Sequence, residues 1–363
     1  MSADRPKGKS GGKAGGLLGD EGNGLTMSDV AREAGVATST VSRALANPGR
    51  VNERTRARIL DAVARLGYTP NAAARNLRIG TSRMVMIVLP DQLTTGQIVP
   101  EVLRSIDAEL VESRYSIIIG NLDRLTRTED HILDLAFGGL VDGALVLSSA
   151  VPATAGRSML DAGVPVVSLL FDHSPSGVAS VVTNDREAMF DVTDHLVRLG
   201  HRSFFYIGGP AGNYHEIERF AGLNEGLVRA AAGVSVRHFG GDFFAASGKR
   251  AAAEYLSLKE RPTAVVSCND DMAIGFMNGI RAAGLRIPED FSIVGFDGTE
   301  KSEYSNPMLT TMRQPIAEIG AKGARLLLDL LETRSAQAQR IVCPSELVIR
   351  ETTGPARGAA PCR

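Results

Sequence analysis

The hydrophobic rhythm of this chain changes once, and the change divides it. From Thr26 the apolar positions recur three and four apart: Met27, Val30, Ala31 and Ala34 predict a first helix that Thr26 caps and Gly35 ends. Val41, Ala44 and Leu45 give the buried stripe of a second helix, with Thr38, Ser39, Ser42 and Arg43 on its other face and Asn47, Pro48 and Gly49 closing it. A third starts with Asn52 as its cap and Glu53 behind it, carries Ile59, Leu60, Val63 and Leu66 as its seam, and stops at Gly67. Short helices joined by a glycine turn make a helix-turn-helix. Beyond Tyr68 and Pro70, the run from Asn71 to Leu77 has a capping asparagine and three alanines but only about two turns, too short to be helical alone.

From Met84 the pattern becomes short apolar runs alternating with amphipathic stretches. MVMIVLP, YSIIIG, GALVLSS, PVVSLL, FFYIGG, AVVSCND and FSIVGFD read as strands, and residues 102–111, 130–137, 186–199 and 271–283 as helices. Strands apolar on both faces, alternating with helices, predict parallel sheets with right-handed crossovers. The region is too long for one open sheet and predicts two lobes, with any ligand at the carboxyl ends of the strands. The expected fold class is therefore a small all-α helix-turn-helix headpiece plus an α/β two-lobed core with parallel sheets. Its expected divisions are a disordered Gly/Lys-rich tail over 1–25, the headpiece over 26–70, a hinge helix and linker over 71–82, the core over 83–351 and a disordered tail over 352–363.

Charge sharpens this picture. The whole chain has a formal net charge of -1, yet Thr26 to Arg83 holds ten Arg and no Lys against Asp29, Glu33, Glu53 and Asp61, a net +6. Such asymmetry is an electrostatic footprint for phosphate. No secretory apolar run and no membrane-spanning stretch occurs, which predicts a protein of the cytoplasm. Cys268, Cys343 and Cys362 have no metal-type spacing, the six histidines are scattered, and the IGGPAG run misses the dinucleotide spacing, so neither metal nor cofactor is expected and no catalytic set stands out.

Small sugars are recognised by planar donors and acceptors for adjacent hydroxyls plus one aromatic face. Arg219, Asn269, Asp297 and Phe243 supply that set; three follow or end a predicted strand and Arg219 lies early in a helix. Each has a plainer alternative: a surface pair with Glu216 or Glu218 for Arg219, a turn before Gly298 for Asp297, and helix capping for Asn269 and Asp270. In the first lobe Asp91, Ser148 and Ser149 are further candidates, and Asp91 equally suits a helix cap.

The run from Thr26 through Leu77 resembles, without a gap, the DNA-binding headpiece of the LacI/GalR family of bacterial transcription regulators. The stretch from Arg83 to about Glu351, with LGHRSFFYIGGP, GDFFAASG, SCNDDMAIG, IVGFDGTE and PMLTTMRQP, is similar to the family's effector-binding core, which itself resembles periplasmic sugar-binding proteins. The resemblance implies that the second helix enters the major groove of double-stranded DNA, with Thr38, Ser39 and Arg43 at base-reading positions and Thr40, Ser42, Arg50, Asn52 and Thr55 holding phosphates. It implies that Asn71 to Leu77 pairs with its twin in a homodimer and that Leu77 wedges into the minor groove of a pseudo-palindromic operator. It also matches Arg219, Phe243, Asn269 and Asp297 to ligand contacts. One departure is Ala37, where the family has serine, and its loss as a helix cap is worth about 1 kcal/mol. The expected function is a repressor controlled by a small metabolite, a sugar or sugar derivative. The alternatives are a nucleobase-corepressed regulator and a sugar-binding protein without regulatory role. No heptad follows Glu351, so a dimer is expected without a tetramerising coiled coil.

Overall fold

The structure is a computed structural model and describes residues 25–46, 48–69, 81–90, 98–122, 128–230, 233–333 and 338–357. The expectations for residues 1–24, for Asn71 and Leu77 in the hinge, and for Asp91 lie outside them. The chain divides between Gly80 and Thr81 into two compact units.

In the first unit, helix α1 (Met27–Ala34) starts where the Thr26 backbone N–H and hydroxyl both donate to the Asp29 carboxylate, at 2.9 and 2.6 Å. It ends at Gly35, whose φ of 60° is open to glycine at little cost. Helix α2 (Thr38–Ala46) buries Val41 and Ala44, and helix α3 (Glu53–Leu66) is capped by Asn52, whose Oδ1 accepts from the Arg54 N–H at 2.9 Å. Ile59 and Ala62 of α3 are buried with Val30, Ala31 and Ala34. Leu60 is not on the seam: one residue further round the helix, it is 45% exposed. Arg58 reaches back from α3 and donates to the Ala34 carbonyl at 2.5 Å, satisfying an end of α1.

The second unit holds two six-stranded sheets. In the first sheet β1 (Met84–Leu89) lies between β2 (Ser116–Asn121) and β3 (Gly143–Val146), followed outward by β6 (Val166–Leu169), β7 (Ala179–Thr183) and β13 (Arg340–Cys343), all parallel. In the second, β8 (Ser203–Ile207) lies between β9 (Ser235–Phe239) and β10 (Ala264–Ser267), followed by β11 (Ser292–Asp297), β12 (Thr310–Arg313) and β14 (Glu346–Val348). Only β14 runs antiparallel there, pairing Thr311 with Val348. A small hairpin of β4 (Ala153–Thr154) and β5 (Arg157–Ser158) stands apart. Helices α4 (Ile98–Glu112), α5 (Thr128–Phe137) and α11 (Ile316–Thr333) cover the first sheet. The second is covered by α6 (Asp185–Arg198), α7 (Tyr214–Ala230), α8 (Ala245–Ser257) and α9 (Asp270–Arg281), with the short α10 (Glu300–Tyr304) beside it.

The chain passes between the two lobes three times: after β7, after β12 and between β13 and β14. Asn184 ties two of these crossovers together, its Oδ1 accepting from the Ser345 N–H at 2.7 Å.

Both expected edges of the core need correction. Ser82 belongs to the core and not to a linker, because the Asp142 carboxylate accepts from the Ser82 N–H at 2.7 Å, as it does from the Arg83 N–H at 2.9 Å. At the other end, residues 352–357 are packed rather than a disordered tail. Thr352 is fully buried, donating to the Ile293 carbonyl at 2.7 Å and accepting from the Thr310 N–H at 2.8 Å. His201 clasps the same segment, with Nδ1 at 3.0 Å from Thr263 Oγ1 and Nε2 at 2.9 Å from Ser292 Oγ and 3.1 Å from the Gly354 carbonyl.

Burial holds the His201 imidazole below the ordinary histidine value of 6.5, so the unfolded chain binds that proton more readily. The stability it contributes is fully present above about pH 6.5 and is lost as pH falls through the folded-state value. The thermal midpoint of the core should therefore fall between about pH 7 and about pH 5, and fall less steeply in His201→Gln; parallel slopes for the two proteins would rule the clasp out.

Candidate functional site: an interlobe cleft and an exposed headpiece face

A cavity of about 850 Å³, open solvent at its mouth included, lies between the lobes. Its two walls differ in kind. The first lobe contributes apolar groups, among them Val99, Leu147, Leu170 and Phe171, while the second contributes Asn213, His215, Arg219, Asn269 and Asp297. Three of the five non-glycine residues with positive φ among the described residues line it: Leu170 at 70°, Phe243 at 69° and Asp297 at 119°. Backbone strain of this kind persists where the surroundings impose it and clusters at ligand sites.

Arg219 is the centre of the polar wall. It is 3% exposed and lies flat over the Phe296 ring, its Cζ 3.6 Å from the centroid. Its Nη1 donates to the Cys268 carbonyl at 2.6 Å and stands 3.7 Å from Asp297 Oδ1, while its Nη2 donates to Asp185 Oδ1 at 3.4 Å. It pairs with neither Glu216 nor Glu218; Glu216 is taken by Tyr206, Gly209 and His238, and Glu218 by Arg186.

Asp185 also accepts from Thr183 Oγ1 at 2.7 Å, and its Oδ2 is 2.7 Å from His215 Nδ1. Burial alone would raise this carboxyl, but Arg219 and His215 beside it outweigh burial and hold it well below the usual carboxylate range. Asp297 goes the other way. Burial pushes its carboxyl well up against the pull of Arg219, and Gln314 Nε2 donates to its Oδ1 at 2.6 Å. One guanidinium thus faces two carboxyl groups whose surroundings push them in opposite directions.

Two buried polar atoms in this wall have no partner: Arg219 Nε and Gln314 Oε1. Gln314 sits on the second crossover, while Asp185 follows the first.

Asn269 lines the cleft and also caps α9, its Oδ1 accepting from the Met272 N–H at 2.9 Å while its Nδ2 donates to the Phe243 carbonyl at 2.9 Å. Both readings of Asn269 hold at once. Gly209 is needed for the aromatic: a Cβ there would stand 2.5 Å from the Phe243 ring. Of the first-lobe candidates Ser149 lines the cleft, whereas the Ser148 hydroxyl is turned to the Ala150 carbonyl at 2.5 Å. Sequence reasoning did not single out His215, Asn213, Gln314 or Phe171, although Gln314 lies within the PMLTTMRQP run.

On the headpiece, Thr38, Ser39 and Arg43 of α2 are exposed together, with Thr40 and Ser42 half-buried at their flanks. Arg43 folds back along its own helix, Nε donating to the Ser39 carbonyl at 3.2 Å and Nη2 to Ser39 Oγ at 3.4 Å. Arg50 is exposed, Thr55 half-buried, and the Asn52 oxygen is occupied as the α3 cap. The basic count divides in two. Arg32, Arg58 and Arg65 hold the bundle together through Asp29, the Ala34 carbonyl, and Glu33 with Asp61, and Arg83 lies over Tyr115 in the core. Arg43, Arg50, Arg54 and Arg56 make no ion pair among the described residues.

A basic helix-turn-helix joined to a two-lobed α/β receptor defines a ligand-responsive DNA-binding regulator, and the comparisons with known proteins agree. Residues 26–71 match the family model of bacterial regulatory proteins, lacI family, and residues 193–353 that of the periplasmic binding protein-like domain. The HTH-type transcriptional repressor CytR of Escherichia coli K12 is 32% identical over 330 residues, 90% of this chain and 96% of that one. Among solved structures, the lac repressor dimer bound to operator and the anti-inducer ONPF superposes with a TM-score of 0.82 at 27% identity, covering 92% of this chain and all of that one. The CelR–cellobiose complex does so at 0.66 and 28%, covering 90% and 99%. The chain belongs to the lacI family of bacterial regulatory proteins and is a transcriptional regulator with an effector-binding domain. No described helix is long and apolar enough to cross a membrane.

Proposed function

We propose that this protein is a cytoplasmic repressor that binds a pseudo-palindromic operator as a homodimer and is controlled by a sugar or sugar derivative held between its lobes. The observation that carries the ligand part is a cleft with two unlike walls, Asn213, His215, Arg219, Asn269 and Asp297 on one lobe and mainly apolar groups on the other. Hydroxyls of a sugar ring would satisfy the first, its C–H face the second. The sugar seen in the CelR complex supports the same reading. Arg219, Phe243, Asn269 and Asp297 are assigned to the ligand, with Ser149, His215 and Gln314 added and Ser148 placed behind them.

Ligand contact with Gln314 and, through Arg219, with Asp185 would bias two of the three crossovers, and so the angle between lobes. Such a coupling of about 1 to 3 kcal/mol changes operator affinity roughly 5- to 150-fold. On DNA, Thr38, Ser39 and Arg43 are assigned to bases, and Thr40, Ser42, Arg50, Asn52 and Thr55 to phosphates. Asn71 to Leu77 acts as the segment that orders on the operator, with Leu77 as its wedge. Leu77→Ala should weaken operator binding at least about tenfold and leave the thermal midpoint of the core unchanged; an unaltered gel shift would remove the wedge.

The test of the whole reading is fluorescence anisotropy on an operator duplex with and without candidate ligands. A rise in Kd on adding a sugar supports induction. A fall on adding a nucleobase would replace this reading by corepression, and a sugar that binds without altering Kd would leave a receptor that is not a switch.

A further inference from the structure

The chain that joins the headpiece to the core enters it at Thr81, and the residues that follow are fastened on two sides. The Asp142 carboxylate accepts three hydrogen bonds from two consecutive residues: Oδ1 takes the Ser82 N–H at 2.7 Å and the Ser82 hydroxyl at 2.9 Å, and Oδ2 takes the Arg83 N–H at 2.9 Å. Hydrogen bonds to a carboxylate are roughly twice as strong as neutral ones. The Asp142 N–H adds a bond to the Met84 carbonyl at 2.8 Å, and the Ser82 hydroxyl accepts from the Met84 N–H at 3.1 Å.

Arg83 is held from the other side. Its carbonyl accepts from the Ser116 N–H at 2.9 Å, its Nη1 donates to the Ser113 carbonyl at 3.2 Å, and its guanidinium lies over the Tyr115 ring, 5.1 Å from the centroid. Its φ is 56°, a left-handed conformation that a non-glycine residue keeps where its surroundings impose it. This strain lies at the amino ends of the strands, away from the cleft.

Two buried strands run from this anchor to the cleft. β1 starts at Met84, and Pro90 after its end lines the cleft; β3 starts beside Asp142, and Leu147 after its end lines the cleft. They pair in parallel from Val85 with Gly143 to Val88 with Val146, and all of these residues are buried. The six residues of β1 span roughly 20 Å, which sets the anchor apart from the ligand contacts.

We propose that Asp142 is a positioning residue for operator binding: it fixes the point and the direction at which the linker leaves the core. The proposal rests on the reading above that Asn71 to Leu77 orders on the operator, and it names the residue that gives this segment a fixed end. Ordering a chain already held at one end loses less conformational entropy than ordering one that is loose there. A displacement of the first lobe reaches the same point through β1 and β3, because packed strands move as rigid elements. Specific binding, which needs the segment ordered, therefore depends on Asp142, while attraction of the headpiece to phosphate does not.

The test is fluorescence anisotropy on the full chain with two duplexes, an operator selected by the protein from random-sequence DNA and an unrelated sequence of equal length. Asp142→Ala is expected to raise the operator Kd at least about fivefold and to leave Kd for the unrelated duplex within about twofold. Thr352→Ala removes buried hydrogen bonds of 2.7 and 2.8 Å in the second lobe, controls for lost core stability, and should leave both values within about twofold. Ser82→Ala keeps Asp142 and removes only the hydroxyl of the anchor; it should show the same pattern at about two- to threefold, and it decides the question if Asp142→Ala does not fold. An operator Kd unchanged in Asp142→Ala overturns the proposal, as does an equal loss on unrelated DNA or an equal loss in Thr352→Ala. Leu77→Ala, run alongside, reports on the reading beneath: a loss in Asp142→Ala without one in Leu77→Ala upholds the fixed end and sinks the wedge, and the reverse result does the opposite.

Discussion

Arg219→Ala is expected to abolish the response to the effector while operator binding by the ligand-free protein persists. The guanidinium lines the cleft, and a charged hydrogen bond to a ligand contributes about 1.5 to 3 kcal/mol, so effector affinity should fall roughly 10- to 150-fold. Structure is affected as well. Without Arg219 the buried Asp185 loses the cation 3.4 Å away and the Cys268 carbonyl loses a 2.6 Å donor. Removing one partner of a buried ion pair typically costs about 3 to 5 kcal/mol, so the core's thermal midpoint should drop by several degrees. Asp185 would then lie closer to the ordinary carboxylate range, since Arg219 is the leading influence holding it down. Arg219→Lys separates the two effects: it restores the charge, and with it part of the stability, but not the planar fork, and the effector should remain weakly bound. The headpiece is a separate compact unit with its own core, which is why DNA binding survives. A full effector response in Arg219→Ala, by anisotropy, would place the ligand elsewhere.

Most of the fold was readable because the strands of a parallel sheet covered on both faces are continuous apolar runs, as in MVMIVL, whose last five residues are all buried. Of the strands that escaped notice, β7 is buried throughout but interrupted by Ser180 and Thr183, β12 opens on two threonines, and the others do not obey that rule. β9 lies at a sheet edge and alternates exposed and half-buried, and β13 and β14 are formed only after the chain has crossed between lobes. The packed residues 352–357 escaped for a related reason: Thr352 is buried by hydrogen bonds to backbone, and a single threonine carries no periodicity. In the site, Asn269 and Asp297 could be found because they follow or end strands that are continuous apolar runs. Arg219 was found, but its partner was misjudged among sequence neighbours, since Asp185 is 34 residues away. His215 carried no signal, and Gln314 was passed over although it lies in the PMLTTMRQP run. Their place in the cleft depends on where α7 begins and where the chain crosses after β12, which is set by tertiary packing.

On the headpiece the largest effect is expected for Arg43→Ala. Arg43 is exposed on the same face of α2 as Thr38 and Ser39, makes no ion pair among the described residues, and bonds to Ser39 at 3.2 and 3.4 Å. Those weak bonds keep the guanidinium along the helix without burying it, so redirecting it to a guanine edge costs little. A bidentate pair with a base is worth about 1 to 3 kcal/mol, so specific operator affinity should fall roughly 5- to 150-fold in each half-site that uses it. Binding to unrelated duplex should fall much less, because the proposed phosphate contact of Arg50 and the exposed positive charge of Arg54 and Arg56 are retained, and phosphate attraction dominates non-specific affinity. Arg50→Ala gives the opposite signature: a nearly uniform loss across sequences, with the slope of log Kd against log salt reduced by about one. Equal losses on specific and unrelated DNA in Arg43→Ala would move it from the base readers to the phosphate contacts. A salt slope unchanged in Arg50→Ala would remove that residue from the interface. Ala37 bears on the same measurement. It occupies the residue before α2, where its carbonyl accepts from the Thr40 and Val41 N–H groups at 2.8 and 3.2 Å but its methyl cannot cap. Ala37→Ser should therefore tighten binding to specific and unrelated duplex alike, through about 1 kcal/mol of helix capping, and leave the Arg43 discrimination unchanged.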